Sequence, residues 1–268
     1  MTARKAQLAG LAAILALSTT GCGIVTADDG DTPTAATTSS SAPAEPRDVL
    51  LDAVPGDQDG AYHFDVKGSD VPMSGVLDAS KKAVEIKVVQ TEPDAGFTLA
   101  MTTRMIGEKT WVKFVIKPAN MPGLPKIPKN WQLLDPAKVQ DKSIVGYDGS
   151  TDPGYVWALV NDAAAVKQTS PGHFTGSADL TKTTQAEIVE EKTLTAMGAK
   201  AKAVPFEAVV DAGGHLTSFV AKIPAGGGHK ATTYSVKYTG YGKTATPAAP
   251  AAGEQQKATS VIYEMLRG

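Results

Sequence analysis

Apolar and polar side chains alternate with a period of two through most of the chain between Asp48 and about Tyr241, the pattern of half-buried β-strands. Tyr62, Phe64 and Val66 alternate with His63 and Asp65. Val84, Ile86 and Val88 alternate with Glu85 and Lys87. Phe97, Leu99 and Met101 share a face against Thr98, Ala100 and Thr102. Beyond the turn at Gly107-Glu108-Lys109, Val112, Phe114 and Ile116 alternate with Trp111 and Lys113. The pattern resumes from Val204 to Asp211, turns at Ala212-Gly213-Gly214, continues from Leu216 to Ile223, and returns through Gly226-Gly227-Gly228 into Thr233–Tyr241. In that last strand Tyr234, Val236 and Tyr238 alternate with Ser235 and Lys237. Short turns holding Gly, Asp or Lys join antiparallel neighbours, and apolar-in, polar-out alternation predicts an antiparallel sheet with one wet face.

The middle of the chain changes period. Pro118, Pro122, Pro125 and Pro128 mark an extended loop that cannot join a ladder, and a short apolar piece follows at Trp131-Gln132-Leu133-Leu134. Its proline spacing resembles a polyproline ligand, but a loop is the simpler reading. Asp152-Pro153 reads as a helix start, and Val156, Leu159, Val160, Ala163 and Val166 then recur at helical spacing. A second helix is predicted from about Thr184 to Met197, ended by Gly198. Strands, helices, then strands, without βαβ alternation, predict an α+β domain.

The two ends differ from this core. Residues 1–21 carry Arg4 and Lys5 and an apolar run from Leu8 to Leu17, too short to span a bilayer, which is the form of an export signal. Residues 22–47 read as a tether of small and polar residues with nothing large to bury. As a flexible coil it would hold a domain about 25 Å from its start. Residues 242–268 read as an Ala/Pro linker, Thr246 to Ala252, and a final apolar piece around Val261–Leu266 in which helix and strand stay open. The domain is then expected at 48–241.

Composition narrows the chemistry. The chain is 42% hydrophobic and 20% charged, ordinary for a globular protein, and 26 basic against 28 acidic side chains provide no footprint for a polyphosphate backbone, so no nucleic-acid partner is expected. The single cysteine excludes an internal disulfide and a Cys-based zinc site within the chain. His63, His173, His215 and His229 lie near strands or turns without metal-ligand spacing. Glu187, Glu190 and Glu191 read as a solvated helix face. No Gly-x-Ser-x-Gly elbow surrounds Gly149-Ser150 or Gly176-Ser177. Gly226–Ala231 lacks the Gly-Lys-Ser/Thr ending of a phosphate loop. No catalytic residue, metal or cofactor is expected, and the protein is not read as an enzyme.

Ser18-Thr19-Thr20-Gly21-Cys22-Gly23 resembles a bacterial lipoprotein lipobox, departing from it at Thr19, where an aliphatic residue is usual. That resemblance implies a diacylglyceryl anchor on Cys22 and an extracytoplasmic, membrane-attached protein. Further stretches resemble the LolA-like bacterial lipoproteins, most of all the actinobacterial LppX and LprG group: Gly75-Val76-Leu77-Asp78, the Lys129-Asn130-Trp131 region, His173 to Thr181, and Val204 to Gly214. The resemblance implies a curved antiparallel sheet, an incomplete barrel, covered on its concave face by helices and holding an apolar cavity for the acyl chains of a lipid or glycolipid. The positions expected to face it are Phe64, Val84, Ile86, Phe97, Leu99, Met101, Phe114, Phe206, Tyr234 and Val236 from strands, with Leu159, Val189 and Met197 from helices. Two functions stay open: a lipid carrier or chaperone, or an interaction or sensory lipoprotein with a filled core and an envelope protein partner. A continuous apolar void above about 300 Å³ favours the first.

Overall fold

A computed structural model describes residues 44–119, 126–186, 188–228 and 230–267. The export signal, Cys22, most of the tether, Pro122, Pro125, Glu187 and His229 lie outside the described residues. Pro43–Gly268 forms one compact unit. Among the described residues it is α+β, with four α-helices and a large, curved, mostly antiparallel open sheet of twelve strands.

The sheet is two meanders joined at a seam. After helix α1 (Pro46–Asp52), strands β1 (Tyr62–Lys67), β2 (Met73–Asp78), β3 (Ala83–Glu92), β4 (Phe97–Ile106), β5 (Lys109–Lys117) and β6 (Trp131–Leu133) run in sequence order to one side. The second meander is β7 (Ala164–Ser170), β8 (His173–Ala178), β9 (Val204–Val210), β10 (Leu216–Ile223) and β11 (Thr232–Thr239). Antiparallel pairing of β1 with β11 closes the seam, Phe64 opposite Tyr238 and Val66 opposite Val236. Right-handed twist accumulates over so many strands, and an open sheet of this width curls.

Register carries one set of side chains across the inner face. Leu77, Gly75 and Met73 of β2 stand opposite Val84, Ile86 and Val88 of β3. These in turn face Met105, Thr103 and Met101 of β4. On the other side of the seam Phe219 pairs with Val236 and with Ala208, and Ala221 with Tyr234 and Phe206. Gly75 keeps this face continuous. A Cβ there would lie 2.7 Å from the Phe64 ring and 1.9 Å from the Glu85 carbonyl oxygen, so no larger residue fits.

The first meander ends at β6 and the second begins at β7 at the opposite edge, so the intervening chain must cross the sheet. Residues 134–163 make that crossing with two 3-10 turns, Pro136–Lys138 and Lys142–Ile144, and helix α2 (Val156–Asn161). The helix expected to run from Asp152 through Val166 is therefore shorter. Asp152 and Pro153 lie before it: the N-cap is Tyr155, in the left-handed conformation (φ 51°), although Asp152 Oδ2 accepts the Trp157 N–H of the first turn at 2.7 Å, and Val166 lies in β7. The second predicted helix is also shorter: a 3-10 turn at Thr184–Ala186, then α3 (Glu191–Met197). Segments this short gain little from propensity alone, so their ends are set by what they pack against.

Two cores result. The larger lies between the inner face and α1, α2 and α3, and includes Leu50, Tyr62, Phe64, Leu159, Leu194, Met197, Phe206, Phe219, Tyr234, Val236 and Tyr238. The smaller lies at the far edge, where Val112, Phe114, Leu134 and Val139 meet Ile262 and Tyr263 of α4 (Ser260–Met265). The final apolar piece, left open between helix and strand, is a helix preceded by a strand. β12 (Gln255–Lys257) pairs in parallel with β6, and the Trp111 Nε1–H donates to Gln255 Oε1 at 2.7 Å. The expected boundaries at 48 and 241 thus differ from the compact unit at both ends. Pro46 and Arg47 belong to α1, Arg47 donating to the Ala163 carbonyl, and residues beyond 241 complete the second core.

Candidate functional site

The crossing segment forms a strap over the inner face, pinned at two places. At the first, the Gly146 N–H donates to Thr110 Oγ1 at 2.8 Å and the Tyr147 N–H to the Gly107 carbonyl at 2.9 Å. At the second, three tyrosines standing on the inner face near the seam hold residues 151–154. Tyr62 donates to the Thr151 carbonyl, Tyr234 to the Gly154 carbonyl at 2.7 Å, and Tyr238 to Asp152 Oδ1. Gly154 permits this close approach, because a Cβ would lie 2.6 Å from Val236 Cγ1 and 2.8 Å from the Tyr238 hydroxyl.

Burial, above all, and the nearby Asp152 charge push the hydroxyls of Tyr62, Tyr234 and Tyr238 well above the ordinary tyrosine range, so all three remain protonated donors. Enclosure likewise pushes the Asp152 carboxyl up, against hydrogen bonds from Tyr238 and from the N–H groups of Trp157, Gly154 and Val156 that pull it down. The second pin is thus a polar latch made of neutral phenols around one carboxyl group.

Between the pins the strap roofs a cavity of about 320 Å³. Its floor is the inner face of β2, β3 and β4: Met73 and Leu77, Val84, Ile86 and Val88, Met101, Thr103 and Met105. Its roof and rim are Ser143, Ile144, Gly146, Tyr147, Asp148, Ser150, Pro153 and Tyr155. A smaller cavity of about 190 Å³ beside it shares Val71, Met73, Pro153 and Tyr155 as wall and is lined further by Val66, Ser69, Ala186 and Tyr234. Val71 and Tyr155, 44% and 36% exposed, mark the opening, and two residues on Trp157 is 51% exposed. A larger groove of about 510 Å³ is shallow and lies on the outer face among His63, Asp65, Lys67, Glu85, Lys87 and Lys237, without the apolar enclosure that holds a greasy ligand.

The residues expected to face a cavity fall into three groups. Val84, Ile86 and Met101 line the main cavity, and Tyr234 lines the smaller one. Phe64, Leu159, Val189, Met197, Phe206 and Val236 lie in the larger core. Phe114 lies in the second core, with Leu99 packed against it, and Phe97, half-buried at the start of β4, joins neither. The floor residues Val88 and Met105 continue the period-two pattern from Ile86 and Met101, and that parity is the signal that identifies them, whereas Met73 and Leu77 flank Gly75 on β2, where no position was expected to face the cavity. The roof carries no periodic signal at all.

Among the described residues no chemistry-bearing cluster competes with the cavity. Among the described residues no group of three His, Cys, Asp or Glu side chains is placed to hold a metal ion. Glu190 pairs with Lys192 at 2.7 Å on the surface. His215 stacks on Tyr241 at 4.6 Å between Asp59 and Asp211, each 3.5 Å away, while His63 and His173 are exposed. Among the described residues no helix is long and apolar enough to cross a membrane.

No protein-family model matches the chain, and no curated protein sequence matches it.

Proposed function

We propose that the protein is a membrane-anchored extracytoplasmic lipoprotein that binds a hydrophobic ligand, the acyl chain of a lipid, in the cavity under the strap, as a carrier or chaperone and without covalent chemistry. The observation that carries this reading is the void of about 320 Å³ with a floor of Met, Val, Ile and Leu. An apolar space of that size between packed elements is costly unless something fills it, and it lies at the lower end of small-molecule sites. The lipobox-like run ending in Cys22 supports the anchor. The likeness to LolA-like lipoproteins of the LppX and LprG group adds support through the curved sheet and the sequence stretches that carry it.

The second reading, an interaction or sensory lipoprotein with a protein partner, draws support from the filled core beneath α1–α3 and from exposed Trp157. Native mass spectrometry of the Cys22→Ser protein purified from bacteria separates the two. The carrier reading expects a co-purifying lipid mass that disappears when Met73→Trp fills the cavity. A ligand-free protein that also takes up no added lipid contradicts it. Release of the Cys22→Ser protein from the membrane fraction, where the natural sequence is retained, is the expected outcome for the anchor.

A further inference from the structure

The cavity wall also carries information about the polar end of the occupant. Among the described residues that line the two neighbouring cavities, Asp148 is the only one with a formal charge, and Lys, Arg and His are absent from both walls. The nearest basic residues in sequence are committed elsewhere. Lys142 donates to the carbonyls of Pro136 and Val139 at 2.8 and 2.6 Å. Arg104 binds Glu85, donates to the Ala248 carbonyl and stacks on Trp131. Lys87, between Ile86 and Val88, lines the groove on the outer face.

Polarity is graded along the cavity. Leu77, Val84 and Met105 are buried, whereas Ser143, Asp148, Ser150 and Tyr155 at the rim are exposed. Asp148 is held in place by the Ser150 N–H at 2.9 Å. Burial first, then the carboxylates of Asp57, Asp148 and Asp78, push the Tyr147 hydroxyl up to about 12, in keeping with an acidic surround. At about 320 Å³ the main cavity sits at the lower end of small-molecule sites, the scale of one chain.

We infer that the occupant is a single hydrocarbon chain whose polar end, seated at the Asp148 rim, is uncharged or cationic, and that anionic amphiphiles are rejected. This rests on the cavity being the binding site. An anion at the rim would meet the Asp148 carboxylate with no cation lining either cavity to compensate, whereas a glyceryl or ammonium end meets hydroxyls, backbone groups and one negative charge.

The test is isothermal titration of the Cys22→Ser protein at pH 8 with three twelve-carbon amphiphiles below their critical micelle concentrations: 1-monolauroylglycerol, dodecyltrimethylammonium and laurate. The expected result is one molecule of the first two per protein and at least tenfold weaker binding of laurate. Asp148→Asn, which keeps an acceptor for the Ser150 N–H, is expected to shrink the laurate penalty, measured against monolauroylglycerol binding to the same variant, severalfold. Laurate binding as tightly as monolauroylglycerol, or an unchanged penalty in Asp148→Asn, overturns the charge selection while leaving the cavity reading standing. Two chains bound per protein overturn the single-chain assignment. Binding by none of the three, or binding that survives Met73→Trp, overturns the cavity reading itself and this inference with it.

Discussion

The inner face of the sheet is covered in two different ways, and the two halves differ accordingly. On the β9–β11 side helices bring Leu159, Val160, Leu194 and Met197 down onto Phe206, Phe219 and Val236, and the space is filled; Phe206 and Phe219 stack at 5.0 Å. On the β2–β4 side the cover is the irregular strap from Ser143 to Tyr155, with no helix laid along the floor, and the space stays open. The floors are alike in hydrophobicity. Whether a site is core or cavity is decided here by the covering segment, and the covering segment is decided by topology, since a chain leaving β6 must cross to reach β7.

The comparison is broken most severely at the second pin. Gly154→Val would drive a branched side chain into Val236 and the Tyr238 hydroxyl, with an expected cost of about 3 kcal/mol or more, and thermal denaturation measures it. Truncation distinguishes the halves next. Phe219→Ala in the filled half should cost about 3–5 kcal/mol, whereas Ile86→Ala, which enlarges a space already present, should cost less than about 2. Urea denaturation of both variants gives the difference, and equal losses would argue that the β2–β4 side is packed as tightly as the other.

Enlargement reverses the order. Ala208→Leu, at a position 1% exposed in the filled core, should cost about 1–3 kcal/mol, while Val88→Phe, pointing into the void, should be neutral or stabilising and should reduce ligand uptake.

The smallest effect is in pH dependence. Asp152 is raised in the folded state, so its contribution is fully present below the unfolded carboxyl value of about 3.9 and is lost as pH rises through the folded value. Asp78 has the opposite sign. Burial alone would raise it, but hydrogen bonds from Thr246, Ser80 and the Lys81 N–H hold it below the ordinary range, so its contribution is present at neutral pH and lost on acidification. Stability measured against pH should therefore fall less steeply above about pH 4 in Asp152→Asn than in the natural sequence, and less steeply below about pH 4 in Asp78→Asn.

The strands were legible because alternation reports a face: Phe64, Val84, Met101, Phe206 and Val236 all point inward, as their spacing requires. What alternation cannot report is the thickness of what lies opposite. Phe206 and Ile86 read the same along the chain, yet the first is covered by helices and the second by a glycine-rich strap. The latch was half legible. Asp152 was recognisable as standing near a helix start, but its bond to Tyr238 spans 86 positions and depends on the β1–β11 seam. The tail reads as a linker because Ala and Pro dominate it, and its role appears only when Ile262 and Tyr263 meet Val112 and Phe114.

Methionine methyl groups report on both halves at once. Met73, Met101 and Met105 line the open space, Met197 lies in the filled core and Met265 packs at the second core. In a ¹H–¹³C spectrum of the ¹³C-methyl-methionine protein titrated with monolauroylglycerol, a ligand in the open space shifts Met73, Met101 and Met105 saturably and leaves Met197 and Met265 unmoved. Shifts centred on Met197, or no shift at the three floor methionines, would contradict binding in that space.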